Sequence, residues 1–126
     1  MKKTGLVLCG LFALQLFALA QDSIQARIIL IGDAGQLTKD RHFVVSAAKR
    51  NVIFDKKTTV VFLGDNLYKT GLPDNAVPTY DIAKAPLDSQ IQIAGKSDAK
   101  VYFVPGNHDW ANGGTNGYES ILRVQS

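Results

Sequence analysis

Thr59-Val60-Val61-Phe62-Leu63-Gly64-Asp65-Asn66-Leu67-Tyr68 is the stretch that decides the fold. Its first five residues, Thr59–Leu63, are rich in β-branched and aromatic side chains and form a nearly unbroken apolar run. Unbroken rather than alternating apolarity predicts a parallel strand covered on both faces. A polar turn with a glycine follows at once. It puts the carboxylate of Asp65 just beyond the carboxyl end of the strand, where open α/β sheets bind their ligands.

The same phrase recurs on either side. Upstream, Arg27–Ile31 (RIILI) runs into Gly32-Asp33-Ala34-Gly35. Downstream, Lys100–Val104 (KVYFV) runs into Pro105-Gly106-Asn107-His108-Asp109. Between the first two strands, 40–54 has a helical period, with Phe43, Val44, Ala47, Ala48 and Val52 on one side and Lys49, Arg50 and Asn51 mainly on the other. A loop rich in Gly, Pro and Asp then leads to a short helix expected near 86–94, with Pro86 suited to its first turn and Gly95 to its stop. A Gly/Asn loop at 112–117 precedes a last helical start at 118–124. Strand–helix–strand–helix–strand predicts an α/β layer fold, with a mostly parallel sheet and right-handed crossovers.

Parallel strands end on one edge of a sheet. Asp33, Asp65, Asn107 and His108 are therefore expected to converge, although 32 residues separate Asp33 from Asp65 and 42 separate Asp65 from Asn107. Close carboxylates repel one another unless a positive charge lies between them. A metal pair removes that repulsion and polarises phosphate oxygens at the same time. One Gly-Asp turn after a strand is an ordinary turn. Three such turns in order, each at a strand end, point jointly to a site. His42 falls in the first helical pattern and reads as a surface or core residue rather than a ligand.

These three blocks resemble those of the calcineurin-like metallophosphoesterase superfamily: Asp-x-His, Gly-Asp and Gly-Asn-His-Asp/Glu. Here Gly35 stands where most members have the histidine of the first block, and Tyr68 lies three residues after Asp65. Asp-x-Gly, Gly-Asp-x-x-Tyr and Gly-Asn-His-Asp together resemble the purple acid phosphatase branch. The stretch GDNLYKTGLPD at 64–74 looks like its small, tartrate-resistant members. The resemblance covers about 27–110. It implies the β-α-β-α-β part of the family's sandwich and two metal ions, Fe(III) plus a divalent Fe, Zn or Mn. It implies Asp33 and Tyr68 as ligands of the ferric ion, Asp65 as the bridge, and Asn107 as a ligand of the divalent ion through its side-chain oxygen. His108 would contact the phosphate and protonate the leaving oxygen, and Asp109 would sit behind His108 and orient it. The implied reaction is hydrolysis of phosphate monoesters by direct attack of a metal-bound hydroxide. The alternatives are a phosphodiesterase or nucleotidase with a Mn or Zn pair, and a non-catalytic domain that binds a phosphorylated ligand or a partner. The family's two further histidine blocks have no counterpart after Tyr118, so the chain is expected to be an N-terminal portion, inactive alone.

The amino terminus sets the compartment. Lys2 and Lys3 precede an apolar run from Leu6 to Leu19, and Ala18-Leu19-Ala20 offers a cleavage site. Residues 1–20 thus read as a secretory signal, with 21–126 as the working domain, secreted or periplasmic and without a stable membrane span. Loss of Lys2 and Lys3 leaves 12 basic against 11 acidic residues, a formal charge of +1 in place of +3. That balance excludes a basic nucleic-acid surface and fits a small phosphorylated substrate. Nothing in it fixes an oligomeric state. The only cysteine, Cys9, lies in the signal, so metal ligands in the rest of the chain must be O and N donors.

Overall fold

Arg27–Ile31 (β1), Thr58–Phe62 (β2) and Lys100–Phe103 (β3) form one parallel sheet in the order β1-β2-β3. The computed structural model describes residues 24–125, so the signal segment 1–20 and its cleavage site lie outside the described residues. In the register, Val60 faces Ile29 on one side and Val101 on the other. The ladder extends one residue past each strand. The amides of Leu63 and Val104 donate to Ile31 and Phe62 carbonyls, both at 2.8 Å. All three carboxyl ends therefore reach one rim, as expected.

The core lies on one face of the sheet. Val60 and Phe62 are fully buried there with Ile31, Val45 and Ile93, and Phe62 stacks on Phe103 with ring centroids 4.9 Å apart. On the opposite face Ile28 and Leu30 are 66% and 61% exposed. The expectation of strands covered on both faces is thus corrected. The apolar run of β1 has a covered side and an open one, and continuous apolarity alone does not say what lies over each face.

Among the described residues three α-helices accompany the sheet: α1 (Phe43–Asn51), α2 (Tyr80–Ile91) and α3 (Gly117–Gln125). The first is shorter than its sequence pattern. Thr38 and Arg41 pair across a tight turn, with N–H···O bonds of 2.9 and 3.1 Å. Lys39 and Asp40 in that turn have φ of 49° and 58°, outside helical space. His42 then caps α1, and Val45 is its buried residue while Phe43 and Val44 stay exposed. The expected apolar face is therefore turned. Helix α2 begins six residues before Pro86, which sits inside it rather than in its first turn. Pro86 is buried, and its ring forgoes one backbone bond of the helix. A 3-10 turn, Gln92–Ala94, continues α2 and inserts Ile93 into the core. Leu67, Leu72 and Leu87 form a second cluster, joined by Tyr80 and Val124, beneath the rim loops. Among the described residues no helix is long and apolar enough to cross a membrane.

Candidate metal centre

Both strand-end aspartates leave their strands in the left-handed conformation, with φ of 53° at Asp33 and 51° at Asp65. Asp tolerates this region better than most residues, but a pair of such residues at equivalent strand ends is uncommon and marks a functional rim. Two glycines let the loops close on one another. A Cβ on Gly35 would lie 2.7 Å from the Asp65 carbonyl oxygen and 2.8 Å from the Leu67 nitrogen. A Cβ on Gly106 would collide with the backbone nitrogen and Oδ1 of Asp65. No side chain, imidazole included, fits at position 35 with this backbone.

The residues singled out in the sequence come together in two layers. In the outer layer the Tyr68 hydroxyl donates to Asp33 Oδ1 at 3.1 Å. The Tyr68 and His108 rings meet edge to face, centroids 4.6 Å apart. The backbone N–H of His108 donates to Asp65 Oδ1 at 3.1 Å. Asn107 Nδ2 donates to Asn112 Oδ1 at 3.0 Å, and Asn112 Nδ2 donates to the Lys69 carbonyl at 3.2 Å. Because Lys69 can only accept there, the chain of amides fixes both orientations. Asn107 Oδ1 is left turned away from this network, without a hydrogen bond to any described residue.

Asp109 belongs to the inner layer and departs from expectation. It is 3% exposed and does not touch the His108 ring. Its Oδ2 accepts from the Asn66 N–H at 3.1 Å, Asn66 Nδ2 at 3.0 Å and the Gly106 N–H at 2.8 Å. Its Oδ1 accepts from the Leu67 N–H at 2.9 Å. A buried carboxylate satisfied by four donors holds the second and third loops together. Orientation of the His108 ring falls instead to the Lys69 carbonyl, 2.7 Å from Nδ1. A carbonyl accepts only, so Nδ1 carries the proton and Nε2 is free.

The sequence reading missed three members of this inner layer. Asn66 Nδ2 also donates to the Val104 carbonyl at 2.9 Å. Gln90, fully buried on α2, donates to the Ala34 carbonyl at 2.9 Å and the Asn66 carbonyl at 2.8 Å. His42 Nε2 lies 2.7 Å from the same Ala34 carbonyl, while its Nδ1 accepts from the Val45 N–H. His42 is thus a buried cap that holds the first loop, in line with the non-ligand reading. A polar residue at 90 with the apolar Leu87 and Ile93 three positions to either side is the one signal the sequence offered.

Apart from His108 Nε2, the free donors of the outer layer are oxygens: the carboxylates of Asp33 and Asp65, the Tyr68 phenol and Asn107 Oδ1. Burial, the hydrogen bond to Asp33 and the charges of Asp33, Asp65 and Asp109 push the Tyr68 phenol above its ordinary value. A cation in place of the shared proton would satisfy both oxygens and reverse that push. This donor set fits a hard or borderline ion. No group of three or more His, Cys, Asp or Glu is placed to hold a metal ion among the described residues. Beside these donors opens a cleft of about 1060 Å³, bounded by Gly35, Leu37, Tyr68, Ile82, Pro86 and His108.

A family model described as calcineurin-like phosphoesterase matches residues 26–125, which takes in all three strands and every residue of this rim. No curated protein and no solved structure matches the chain.

Proposed function

This chain belongs to the calcineurin-like phosphoesterase family, and on that premise we propose that it is a phosphomonoesterase of the purple acid phosphatase type. Phosphoester hydrolysis and a requirement for two metal ions come with the family. The branch and the residue roles are our reading. Asp33 and Tyr68 would hold a ferric ion, Asp65 would be shared between it and a divalent Fe, Zn or Mn, and Asn107 would hold the divalent ion through Oδ1. Further donors complete both shells in the active form. When bound, the ions supply Lewis-acid polarisation of the phosphoryl oxygens and an acidified water.

The side chains of this chain do the rest. His108, tethered at Nδ1, presents Nε2 to the phosphate, and with both ring nitrogens protonated it gives the Nε2 proton to the leaving oxygen while the Nδ1 proton keeps its bond to Lys69. Asp109 acts through the loops it ties, keeping the His108 backbone against Asp65. The cleft receives the leaving group of a small phosphorylated substrate against Leu37, Ile82 and Pro86. With 1–20 removed as a signal, the enzyme works outside the cytoplasm, secreted or periplasmic.

One observation carries the choice of branch. The Tyr68 hydroxyl lies 3.1 Å from Asp33 beside a Gly35 that has no room for a side chain. A phenolate there replaces the imidazole of the wider family and favours a ferric ion. The iron-loaded active form, with both shells complete, should therefore be coloured and should release phosphate from an aryl phosphate. Tyr68→Phe should bleach it with its melting temperature kept within a few degrees. A colourless wild type with ferric ion demonstrably bound would remove Tyr68 from the ligand set and return the protein to the general metallophosphoesterases.

A further inference from the structure

We propose that Gln90 is a positioning residue that sets the distance between the two carboxylate loops. The proposal rests on the metal-dependent reading above. The Gln90 side-chain nitrogen donates to the carbonyl of Ala34 at 2.9 Å and to that of Asn66 at 2.8 Å. Each acceptor belongs to the residue directly after a strand-end aspartate, Asp33 in one loop and Asp65 in the other. One amide group with two N–H donors therefore spans the site at matched positions, and both donors are committed.

The anchor behind this amide is firm. Gln90 is fully buried, with Leu87 and Ile93 on either side of it in sequence at 3% and 1% exposed. Ile93 packs with Val60 and Phe62 in the sheet core. Each loop is also held by a second group, the first by His42 on the same Ala34 carbonyl and the second by Asp109 on the Asn66 amide. Other direct ties between the two loops are weaker in geometry. They are backbone bonds of 3.2 Å from the Asp33 N–H to Gly64 and 3.3 Å from the Tyr68 N–H to Gly35, and the outer bond from Tyr68 to Asp33 at 3.1 Å. The Gln90 bonds are shorter and shielded from water, where a hydrogen bond is stronger. A bridging carboxylate and its neighbour must keep a fixed separation to share an ion pair, and groups behind the ligands set such separations. Asn at this position would be too short to reach both carbonyls, and Glu would face them without a donor.

The test is Mn2+ affinity of the active form, in which further donors complete both shells, read by electron paramagnetic resonance, beside thermal unfolding. Gln90→Met keeps the length and removes both donors. Thr58→Val is the control, because Thr58 is buried and hydrogen-bonded at the opposite end of the sheet. Gln90→Met should bind Mn2+ about 10–100-fold more weakly, and Thr58→Val should bind as wild type does even where its melting temperature falls. Equal affinity in Gln90→Met overturns the clamp and leaves the metal reading standing. A parallel loss in Thr58→Val shows affinity following stability and overturns the clamp as well. A wild-type active form, with both shells complete, that takes up neither Mn2+ nor Zn2+ overturns the metal reading, and the clamp with it. Should Gln90→Met fail to fold, wild type decides alone. Clamp and metal stabilise one another by the same factor. Zn2+ should then slow hydrogen exchange of the Gln90 side-chain amide by more than it slows the Val60 backbone amide. Equal slowing overturns the proposal.

Discussion

The two ends of the sheet are both densely polar, yet only one leaves its carboxylates without a cationic partner among the described residues. At the amino end Arg27 Nη1 donates to Thr58 Oγ1 at 2.7 Å and to the Ile53 carbonyl at 2.8 Å, and pairs with Asp55 at 3.5 Å. The Lys57 N–H and Thr58 hydroxyl also reach Asp55, at 2.9 and 3.0 Å. One carboxylate there meets a guanidinium and a ring of donors, so the cluster closes on itself. At the carboxyl end three carboxylates, Asp33, Asp65 and Asp109, gather with no Lys or Arg paired to them among the described residues. Asp109 is satisfied by four N–H groups, but Asp33 has one phenol and Asp65 one backbone N–H. Polar density alone does not mark a site. Uncompensated negative charge with free lone pairs does.

The largest effect that separates the two ends should come from Asp65→Asn. It removes the proposed bridging charge and should lower metal affinity and turnover by more than the roughly 100-fold reached by changes behind the ligands. The metal-free variant should melt at or above the wild-type temperature, because the change relieves charge crowding at a functional rim. A marked loss of stability would erase the distinction between the outer and inner layers. Asp109→Asn sharpens the same distinction from the other side. Its amide nitrogen would face backbone N–H donors in a buried site. Unfolding in urea should show a loss of about 3 kcal/mol without any metal present. A loss under about 1 kcal/mol would mean that Asp109 is not what ties the loops.

Much of this architecture was legible because it rests on local chemistry. Each strand is a short run of residues that fit a pleated surface, followed by a turn that ends it, and the parallel order follows from the helical patterns between them. Convergence of Asp33, Asp65, Asn107 and His108 on one rim follows from that order alone. The faces were harder. Ile28 and Leu30 read like Val60 and Phe62 in sequence, and only the packed structure separates covered from open. Helix limits were set by features with no periodic signature: the Thr38–Arg41 turn cut α1 short, and α2 absorbed Pro86 in its middle. The inner layer was illegible for another reason. Gln90 and Asn66 act by hydrogen bonds over 56, 24 and 38 residues, and nothing in the local pattern announces a partner that distant. Asp109 sits next to His108 in sequence, which made a contact between them the natural expectation. The turn sends the two side chains to different layers.

The smallest effect distinguishes the ends by pH. On the rim side, burial pushes His42 below its ordinary value of 6.5, and the hydrogen bond to Ala34 opposes that less strongly. The folded protein therefore holds His42 neutral where the unfolded chain would bind a proton. Stability must then fall as pH drops below about 6.5, because the unfolded state gains the proton first. Protonation would also take the lone pair by which Nδ1 caps α1. At the amino end, the Lys57 N–H foremost, with Thr58 and Arg27, holds Asp55 below its ordinary value of 3.8. Its contribution is present above that value and is lost as pH falls through the lower folded one. Metal-free protein should thus lose stability in two acid steps, the first from the rim and the second from the opposite end. Urea midpoints measured between pH 8 and pH 3 would resolve them. His42→Gln, which keeps a donor for Ala34, should erase the upper step and leave the lower, and Asp55→Asn should do the reverse. An upper step that survives His42→Gln would show that the acid-sensitive group is not the buried cap behind the first loop.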